Sequence, residues 1–354
     1  MIKYLGSKRA LVPLITDVVR RMPGVRVVGD LFSGTSRVGH ALKAAGYEVT
    51  ANDHNSYAYV LARCYVQADA TRVSAEAERL VRELQRLPGS PGYFTETFCV
   101  RSRFFHPKNG ARVDAIRERI AGLDLDPDLE SVLLVSLMEA ADRVDSTTGV
   151  QMAYLKTWAP RALNDLELRL PHVLPGHGTA LHSDALHAAR SVQLDLAYLD
   201  PPYNQHSYRG NYHIWESLVR WDKPEVYGVA CKRLDCRDYR SDFNSRSRAL
   251  EALRRLVEAV SARHLIVSFS DEGHVSRAEI EGVLAGRGHL VTLEMDFKRY
   301  VGAQIGIHNP AGEKVGRVSH LRNTEQLFVL TPDDEAAASL QALRPLAGDQ
   351  LPLL

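Results

Sequence analysis

A strand, a loop, a helix and a second strand follow one another near the start of the chain, and this pattern limits the folds that it can adopt. Residues 25–30 form a β-branched run that predicts a buried strand, and residues 38–45 predict a helix that Gly46 ends. Residues 47–51 predict the second strand. Consecutive strands joined through a helix pair in parallel, so the pattern predicts an α/β sheet with helices on its faces.

The same pattern stops near residue 55 and resumes near residue 180. Further strands are predicted at residues 195–200, 265–269 and 326–330. Helical spacing dominates residues 56–87, 113–123 and 128–143. Residues 88–110, rich in Pro, Gly and aromatic residues, are predicted as loop.

These segments predict three parts of the chain. A discontinuous α/β domain covers residues 1–60 and 180–332. A mostly helical insertion covers residues 61–179. Residues 333–354 are polar, acidic and Ala-rich, and predict a frayed tail.

Composition excludes few functions for this chain. It has 354 residues with 44 Lys and Arg against 43 Asp and Glu, a net charge of +1, so only local basic stripes could bind nucleic acid. No apolar run approaches the roughly 18 residues of a membrane span, and the start of the chain lacks the apolar core of a signal peptide. We therefore expect a soluble, cytoplasmic protein.

Cysteine and histidine spacing argues against a metal. Cys231 and Cys236 have no two further ligands nearby, and none of the 14 histidines forms an H-E-x-x-H motif. The prediction is therefore reduced thiols and no metal.

A short motif with chemical content follows the predicted strand at residues 195–200. It reads Asp200-Pro201-Pro202-Tyr203 and lies where α/β sheets place ligands, at the carboxyl end of a strand. The prolines stiffen the backbone and remove two N–H donors, which leaves a carboxylate, carbonyl oxygens and an aromatic face. Acceptors that hold both hydrogens of an exocyclic amine localise its lone pair, and Tyr203 can stack on a flipped base. The alternative is a strand-terminal Asp before a proline-stiffened loop.

Two residues at the ends of the first strands predict a nucleoside-containing ligand. Gly34 follows the first strand and lets the backbone approach a ligand closely. Asp53, about twenty residues on, lies where an acid commonly binds ribose hydroxyls, although a helix N-cap is an equal alternative. No G-x-G-x-x-G motif is present, which disfavours a nicotinamide-dependent enzyme.

Taken together, the motifs resemble those of the Dam-type, alpha-class N6-adenine DNA methyltransferases. The match covers roughly residues 1–60 and 180–330. The five elements, in chain order, are Tyr4-Leu-Gly6-Ser-Lys8, Asp30-Leu-Phe-Ser-Gly34, Asn52-Asp53, Asp200-Pro-Pro-Tyr203 and Arg322-Asn-Thr-Glu325-Gln-Leu-Phe. The resemblance implies a Rossmann-like, S-adenosylmethionine-dependent methyltransferase sheet whose helical insertion recognises the target.

The resemblance also implies residue roles. S-adenosylmethionine would be the cofactor and S-adenosylhomocysteine its product, with Lys8 near the cofactor's carboxylate and Asp53 on its ribose. The implied cofactor-binding residues are Tyr4, Lys8, Asp30, Phe32, Gly34, Asp53, Asp184 and Asp200. The implied catalytic residues are Asp200, Pro201, Pro202 and Tyr203.

Basic and aromatic residues predict where DNA binds. Residues 99–121 carry six Lys or Arg against two acids, interleaved with aromatic residues that suit base stacking, and a second basic stretch follows Tyr203. The predicted DNA-binding residues are Arg101, Arg103, Lys108, Arg112, Tyr208 and Arg209. The alternative is a solvated loop and helix face.

The expected partners are double-stranded DNA and a cognate restriction endonuclease or defence-system proteins. No association with a membrane is expected. Three other functions stay open: methylation of cytosine N4, methylation of an RNA amine, and a non-catalytic methyltransferase-like subunit that binds DNA. Cytosine N4 enzymes resemble this family but commonly carry Ser where this chain has Asp200, which favours adenine.

Overall fold

The computed structural model describes residues 1–147, 149–152, 154, 157–298, 307–308, 314–316 and 322–343. The helices in these residues are α1 Val12–Arg20, α2 Arg37–Ala44, α3 Ser56–Ala62, α4 Ala70–Gln85, α5 Tyr93–Thr95, α6 Pro107–Ala121, α7 Pro127–Arg143, α8 Ala185–Ser191, α9 Tyr208–Asn211, α10 His213–Arg220, α11 Ala249–Ala259, α12 Arg277–Leu284 and α13 Asp334–Gln341. The strands are β1 Val27–Asp30, β2 Glu48–Asp53, β3 Thr179–His182, β4 Leu194–Leu199, β5 Val226–Tyr227, β6 Lys232–Arg233, β7 Ala262–Ser270, β8 His289–Lys298, β9 Ile307–His308, β10 Lys314–Gly316 and β11 Arg322–Thr331.

The chain forms two compact units. The first unit contains Met1–Ser7, Ser33–Ala185 and His206–Arg240. The second unit contains Lys8–Phe32, Leu186–Gln205 and Ser241–Leu354. This division places residues 206–240 in the same unit as the helical segment, whereas the prediction places them in the α/β domain. The predicted domain boundaries stay a prediction.

The first unit is mostly helical. Strands β2 and β3 pair in parallel, with Asp53 opposite His182, and helices α3, α4, α6, α7 and α10 surround an apolar core. Helices α6 and α7 each begin with a proline, a residue pre-shaped for the first helical turn, and the Asp126 side chain caps α7 by accepting from Asp128 N at 3.0 Å. The helices predicted within residues 56–87, 113–123 and 128–143 are observed in this unit.

The second unit is built on a mixed sheet. Strands β1, β4 and β7 pair in parallel, and β11 lies antiparallel between β7 and β8. Strand β4 lies between two parallel neighbours and is almost wholly buried, as is typical of strands inside a parallel sheet. The described strands of the two units, parallel and antiparallel, occur together with helices, which confirms the predicted α/β, Rossmann-like fold class.

The predicted loop at residues 88–110 is wrong in part. It contains α5 and a single π-helical turn at Glu96–Val100, and α6 begins at Pro107. The buried carboxylate of Asp114 organises this region by accepting hydrogen bonds from the backbone N–H groups of Gly92, Phe94 and Thr95, each at 2.8 Å. Composition could not reveal this contact, because the acceptor lies about twenty residues downstream.

The predicted frayed tail differs from the structure over residues 334–341, and residues 344–354 lie outside the described residues. Residues 334–341 form α13, and the Asp333 side chain caps it by accepting from Ala336 N at 2.8 Å. Ala336, Ala337 and Leu340 are buried, and α13 packs on β8 and β11. Alanine has the highest helix propensity, so the Ala-rich composition favours this helix once a cap and an apolar neighbour are present.

No helix among the described residues has the length and apolar character needed to cross a membrane. Within the same residues, no three His, Cys, Asp or Glu side chains group as metal ligands.

Candidate active site

Asp200 follows directly after the buried strand β4 in the second unit. The Asp200 side chain is 18% exposed, so it is largely buried yet accessible at one edge. The loop that follows is tethered by two hydrogen bonds: His274 N donates to the Tyr203 carbonyl at 2.7 Å, and Asn244 Nδ2 donates to the Asn204 carbonyl at 2.7 Å. The prolines and these tethers together give Asp200 a defined position.

A buried lysine joins Asp200 to a second carboxylate, and we call Lys8, Asp200 and Glu325 the Lys8 cluster. Lys8 Nζ lies 3.2 Å from Asp200 Oδ1 and 2.9 Å from Glu325 Oε2. The Lys8 side chain is only 6% exposed. Lys8 precedes α1 and Glu325 lies on β11, so the cluster joins three distant parts of the chain. Two carboxylates and one ammonium give it a formal charge of −1 when all three are ionised.

Burial and mutual charge set the protonation of the Lys8 cluster. Burial raises the pKa of Asp200 to about 6; Lys8 opposes this shift, and Glu325 adds to it. Burial alone would lower the pKa of Lys8, but Asp200 and Glu325 outweigh it and hold that pKa well above its ordinary value. Near neutral pH, Lys8 is therefore charged and Asp200 is an ionised acceptor close to its titration range.

Tyr203 presents its ring beside this cluster. Lys8 Nζ lies 5.9 Å from the centre of the Tyr203 ring. The centres of the Tyr203 and Phe269 rings are 6.3 Å apart, and the two ring planes meet at an angle of 50°. Burial raises the pKa of Tyr203 to about 12, so its hydroxyl stays neutral. The described contacts thus fix one side of a flat aromatic group next to the Asp200 carboxylate.

A second set of predicted residues meets in the first unit. Asp53, at the end of β2, accepts hydrogen bonds from Gly34 N at 2.9 Å and from Asn55 N at 2.9 Å and Nδ2 at 3.1 Å. Burial raises the pKa of Asp53, and these donors oppose the shift. The bond to Asn55 at the start of α3 resembles the capping alternative, but the bond to Gly34 also ties Asp53 to the predicted glycine loop.

Both the backbone conformation at position 34 and the close approach of a neighbouring side chain favour glycine there. Its φ of +49° lies in the left-handed region that favours glycine. A Cβ atom at this position would lie 3.3 Å from Cε1 of Tyr4. The loop therefore passes close to the Tyr4 ring with no room for a side chain.

Tyr4 belongs to a stack of tyrosine rings, which we call the Tyr4 stack: Tyr4, Tyr208 and Tyr212. The Tyr4 ring is stacked at 4.6 Å on Tyr212 and at 5.2 Å on Tyr208, and its hydroxyl lies 3.2 Å from the Tyr57 hydroxyl. Burial raises the pKa of Tyr4 well above its ordinary value. The structure thus brings Tyr4, Gly34 and Asp53 together, as the motif order predicts.

Comparison with known families agrees with these motifs. Residues 4–281 match the family described as D12 class N6 adenine-specific DNA methyltransferase. The chain belongs to this family. The predicted family is thereby confirmed.

The chain resembles several modification enzymes. It is 29% identical over 314 residues to Type II methyltransferase M.NlaIII of Neisseria lactamica, covering 84% of this chain and 92% of that protein. It is 29% identical to modification methylase StsI of Streptococcus sanguinis, covering 80% of this chain and 46% of StsI. It is 30% identical to Type II methyltransferase M.FokI of Planomicrobium okeanokoites, covering 84% and 49% respectively. The chain therefore spans about half the length of StsI and M.FokI.

Within this D12-class chain, the described ion-pair partners of Lys8 are Asp200 and Glu325. The position of Lys8 near the carboxylate of the cofactor stays a prediction. The sequence places Glu325 only within the fifth motif element, residues 322–328. Its acidic type within that element is the one available signal, and its partner cannot be predicted from the sequence.

The remaining predicted cofactor residues lie at strand ends in their own units. Asp30 is buried at the end of β1, where it pairs in register with Tyr198 of β4, and Phe32 meets Phe243 edge-on at 5.6 Å. Asp184 is exposed in the turn after β3. No contact described for these residues tests their predicted roles.

Four predicted DNA-binding residues of residues 99–121 have different surroundings. Arg101 is exposed, and the Arg103 guanidinium lies 4.9 Å from the centre of the Trp158 ring. Lys108 Nζ lies 2.8 Å from Asp165 Oδ1. Arg112 donates to two backbone carbonyls of its own unit, at 2.6 and 2.8 Å, so much of its hydrogen-bonding capacity is structural.

The aromatic residues of the same stretch do not fit base stacking. Phe104 and Phe105 are fully buried, in the apolar core of the first unit. Tyr208 lies in the Tyr4 stack, and the Arg209 guanidinium lies 4.5 Å from the centre of the Tyr239 ring. The interleaved aromatic pattern therefore reflects core packing rather than an exposed stacking surface.

Proposed function

We propose that this chain is a site-specific DNA methyltransferase that methylates N6 of an adenine flipped out of double-stranded DNA, with S-adenosylmethionine as methyl donor. The observation that carries the proposal is the position of Asp200, an accessible carboxylate at the end of a buried strand, backed by Lys8 at 3.2 Å. Membership of an N6 adenine-specific family supports the same target.

The Asp200 loop supplies the groups that the target amine needs. N6 of adenine is a poor nucleophile because its lone pair is delocalised into the ring. The Asp200 carboxylate and the Pro201 carbonyl accept its two hydrogens and localise that lone pair, while Tyr203 packs on the base. When bound, S-adenosylmethionine would supply a methyl group from a positively charged sulfur, and the N6–methyl bond would form as the sulfur–methyl bond breaks. Asp200 takes the proton that N6 then loses and passes it to water.

The Asp53 region has the chemistry to hold this cofactor. Asp53 offers carboxylate oxygens that suit ribose hydroxyls and is already oriented by Gly34 N. Gly34 leaves its loop without a side chain, so a ligand can approach the backbone closely. Tyr4, Asp30, Phe32 and Asp184 remain proposed contacts of the cofactor on the strength of motif order.

DNA binding is proposed for the exposed basic side chains. Arg101 and Lys108 are exposed to solvent, and Arg103 and Arg209 carry charges at partly exposed positions. Such residues contribute mainly through phosphate contacts, which weaken as salt concentration rises. The similarity to a modification methylase and to Type II methyltransferases supports a role in restriction-modification, with a cognate endonuclease as the functional partner.

The test is mass spectrometry of nucleosides after incubation with S-adenosylmethionine and unmethylated plasmid DNA. Wild-type protein should produce N6-methyladenine, and Asp200→Ala should lose about 100-fold or more of the rate because a preorganised acceptor is gone. Asp124→Ala is the matched control, since Asp124 is exposed in the turn between α6 and α7. DNA affinity should be similar in all three proteins.

Other products would redirect the proposal. N4-methylcytosine would keep the fold and chemistry but overturn the base. Methylation of RNA alone would overturn the DNA substrate. Cofactor binding without any modified base would favour the non-catalytic subunit, and equal loss of DNA affinity and turnover in Asp200→Ala would make Asp200 structural.

A further inference from the structure

Glu325 lies in an interior strand of the sheet in the second unit, with a partner strand on each side. It pairs in register with Ser270 of β7 and with Met295 of β8. Its side chain is 13% exposed, and its Oε2 atom accepts from Lys8 Nζ at 2.9 Å. A carboxylate held this firmly in a sheet has little freedom to leave its lysine.

Lys8 is therefore shared between two carboxylates. Its contact with Glu325, at 2.9 Å, is shorter than its contact with Asp200, at 3.2 Å. An ammonium has three donors, and the two carboxylates use two of them. If Glu325 lost its charge, Lys8 would be left to Asp200 alone, and the Asp200 carboxylate would be bound more tightly to the lysine.

We propose that Glu325 is a positioning residue for Asp200: by holding the Lys8 ammonium, it keeps an Asp200 oxygen available to accept a hydrogen from the target amine. The inference rests on the proposed function and deepens it. In the part of the chain that the structure describes, Lys8 is the ion-pair partner of Asp200 through Oδ1. The other oxygen, Oδ2, is then the acceptor for the amine.

The charges around Asp200 make this role measurable. Glu325 adds negative potential that favours the protonated form of Asp200, and Lys8 acts in the opposite direction. Two phenols also face the cluster, Tyr198 and Tyr203, and burial keeps the pKa of each above its ordinary value, so both stay neutral in the relevant pH range. The groups beyond them are Asp30, which acts on Tyr198, and Asp271, which acts on Tyr203.

Two substitutions should therefore move the acidic limb of the pH dependence of kcat in opposite directions. In Glu325→Gln, Asp200 loses a neighbouring anion, and the limb of kcat should move to lower pH by roughly one unit. In Lys8→Gln, Asp200 loses its cation, and the limb should move to higher pH. Glu325→Asp keeps the charge and should keep the limb near its wild-type position.

The plateau rate separates positioning from binding. Above the limb, kcat of Glu325→Gln should fall about tenfold, while KM for S-adenosylmethionine and for DNA changes by no more than about twofold. The matched control is Glu294→Gln on the neighbouring strand β8. Glu294 pairs with Arg277 at 2.7 Å and is not part of the Lys8 cluster, so its variant should keep the wild-type profile.

A second readout needs neither cofactor nor substrate. Because the folded-state pKa of Asp200 is raised, the ionisation of Asp200 lowers stability as pH rises from about 4 to about 6. In Glu325→Gln this decline in melting temperature should be smaller and should end at lower pH. Melting curves over this range also show whether each variant is folded.

The outcomes distinguish the two proposals. An inactive wild-type protein would overturn the proposed function, and the melting curves would still decide whether Glu325 acts on Asp200. An active Glu325→Gln protein with an unmoved acidic limb would overturn the positioning role. So would a parallel loss of kcat, cofactor affinity and melting temperature, because that pattern indicates a structural residue. If Glu325→Gln fails to fold, Lys8→Gln provides the test. A shift of its acidic limb of kcat to lower pH would also overturn the positioning role.

Discussion

Replacing Gly34 with alanine tests the glycine loop of the first unit. The substitution places an alanine at a φ of +49°, which costs about 1–2 kcal/mol for a residue with a Cβ atom. The new Cβ would also lie 3.3 Å from Tyr4 Cε1, closer than ordinary contact. The Tyr4 ring cannot easily yield, because it is stacked on Tyr212 at 4.6 Å. We expect a total loss of about 2–3 kcal/mol in the free energy of unfolding.

The same change should weaken cofactor binding. Gly34 N donates to Asp53 at 2.9 Å, so a displaced loop would misplace the carboxylate that we assign to the ribose. We expect affinity for S-adenosylmethionine to fall about tenfold, which corresponds to about 1.4 kcal/mol. Urea unfolding measures the stability change, and calorimetric titration measures the affinity.

Gly46→Ala is the matched control for backbone strain. Gly46 has a φ of +91°, but a Cβ atom there would meet nothing within 4 Å. It should lose about 1–2 kcal/mol of stability and bind the cofactor like the wild type. Equal stability losses in the two variants would refute the close contact with Tyr4. Unchanged cofactor affinity in Gly34→Ala would refute the assignment of this loop to the cofactor.

Three further predictions concern DNA contacts, helix packing and pH. Arg101→Ala should weaken DNA binding and reduce its salt dependence by about one counterion without changing stability. Arg112→Ala should instead lower stability, because that side chain binds two backbone carbonyls. Binding measured at several salt concentrations, with a thermal melt of each variant, distinguishes the two effects. Gly110→Ala should lose about 1–3 kcal/mol, because its Cβ would lie 2.4 Å from a cysteine sulfur, while Gly282→Ala on α12 should gain about 0.5–1 kcal/mol, since nothing lies within 4 Å. Urea unfolding checks both, and a loss in Gly282→Ala would contradict the argument. Burial raises the pKa of Asp142 to about 7, so its ionisation lowers stability as pH rises from about 4 to about 7. The melting temperature of Asp142→Asn relative to wild type should therefore rise as pH increases across that range. A difference in melting temperature that stays constant with pH would contradict the raised pKa of Asp142.

Much of the fold could be predicted because its signals are local. The buried strands β1 and β4 are short apolar runs, and the helix between β1 and β2 has the periodicity and the terminal glycine typical of helices. Asp53 and Asp200 could be assigned to the site because each directly follows such a strand. Strand ends in α/β sheets collect ligand-binding residues whatever the rest of the chain does.

Local patterns misled where burial decides the meaning of a residue. The interleaved basic and aromatic residues near residue 104 looked like a nucleic-acid surface, yet Phe104 and Phe105 are in the core. An aromatic residue in an irregular stretch has the same local signal whether it is exposed or buried. Only the packing of α5, α6 and α7 decides between the two.

Local patterns in the amino-acid sequence were therefore enough to predict the α/β class, the order of the motifs and the two carboxylates at strand ends, because periodicity and turn residues act between close neighbours. Which charges meet depends instead on how the chain folds. Lys8 and Glu325 are 317 residues apart, and they pair because β11 lies between β7 and β8. Strand order is a property of the whole sheet, so no local pattern could show that this lysine is shared with Asp200.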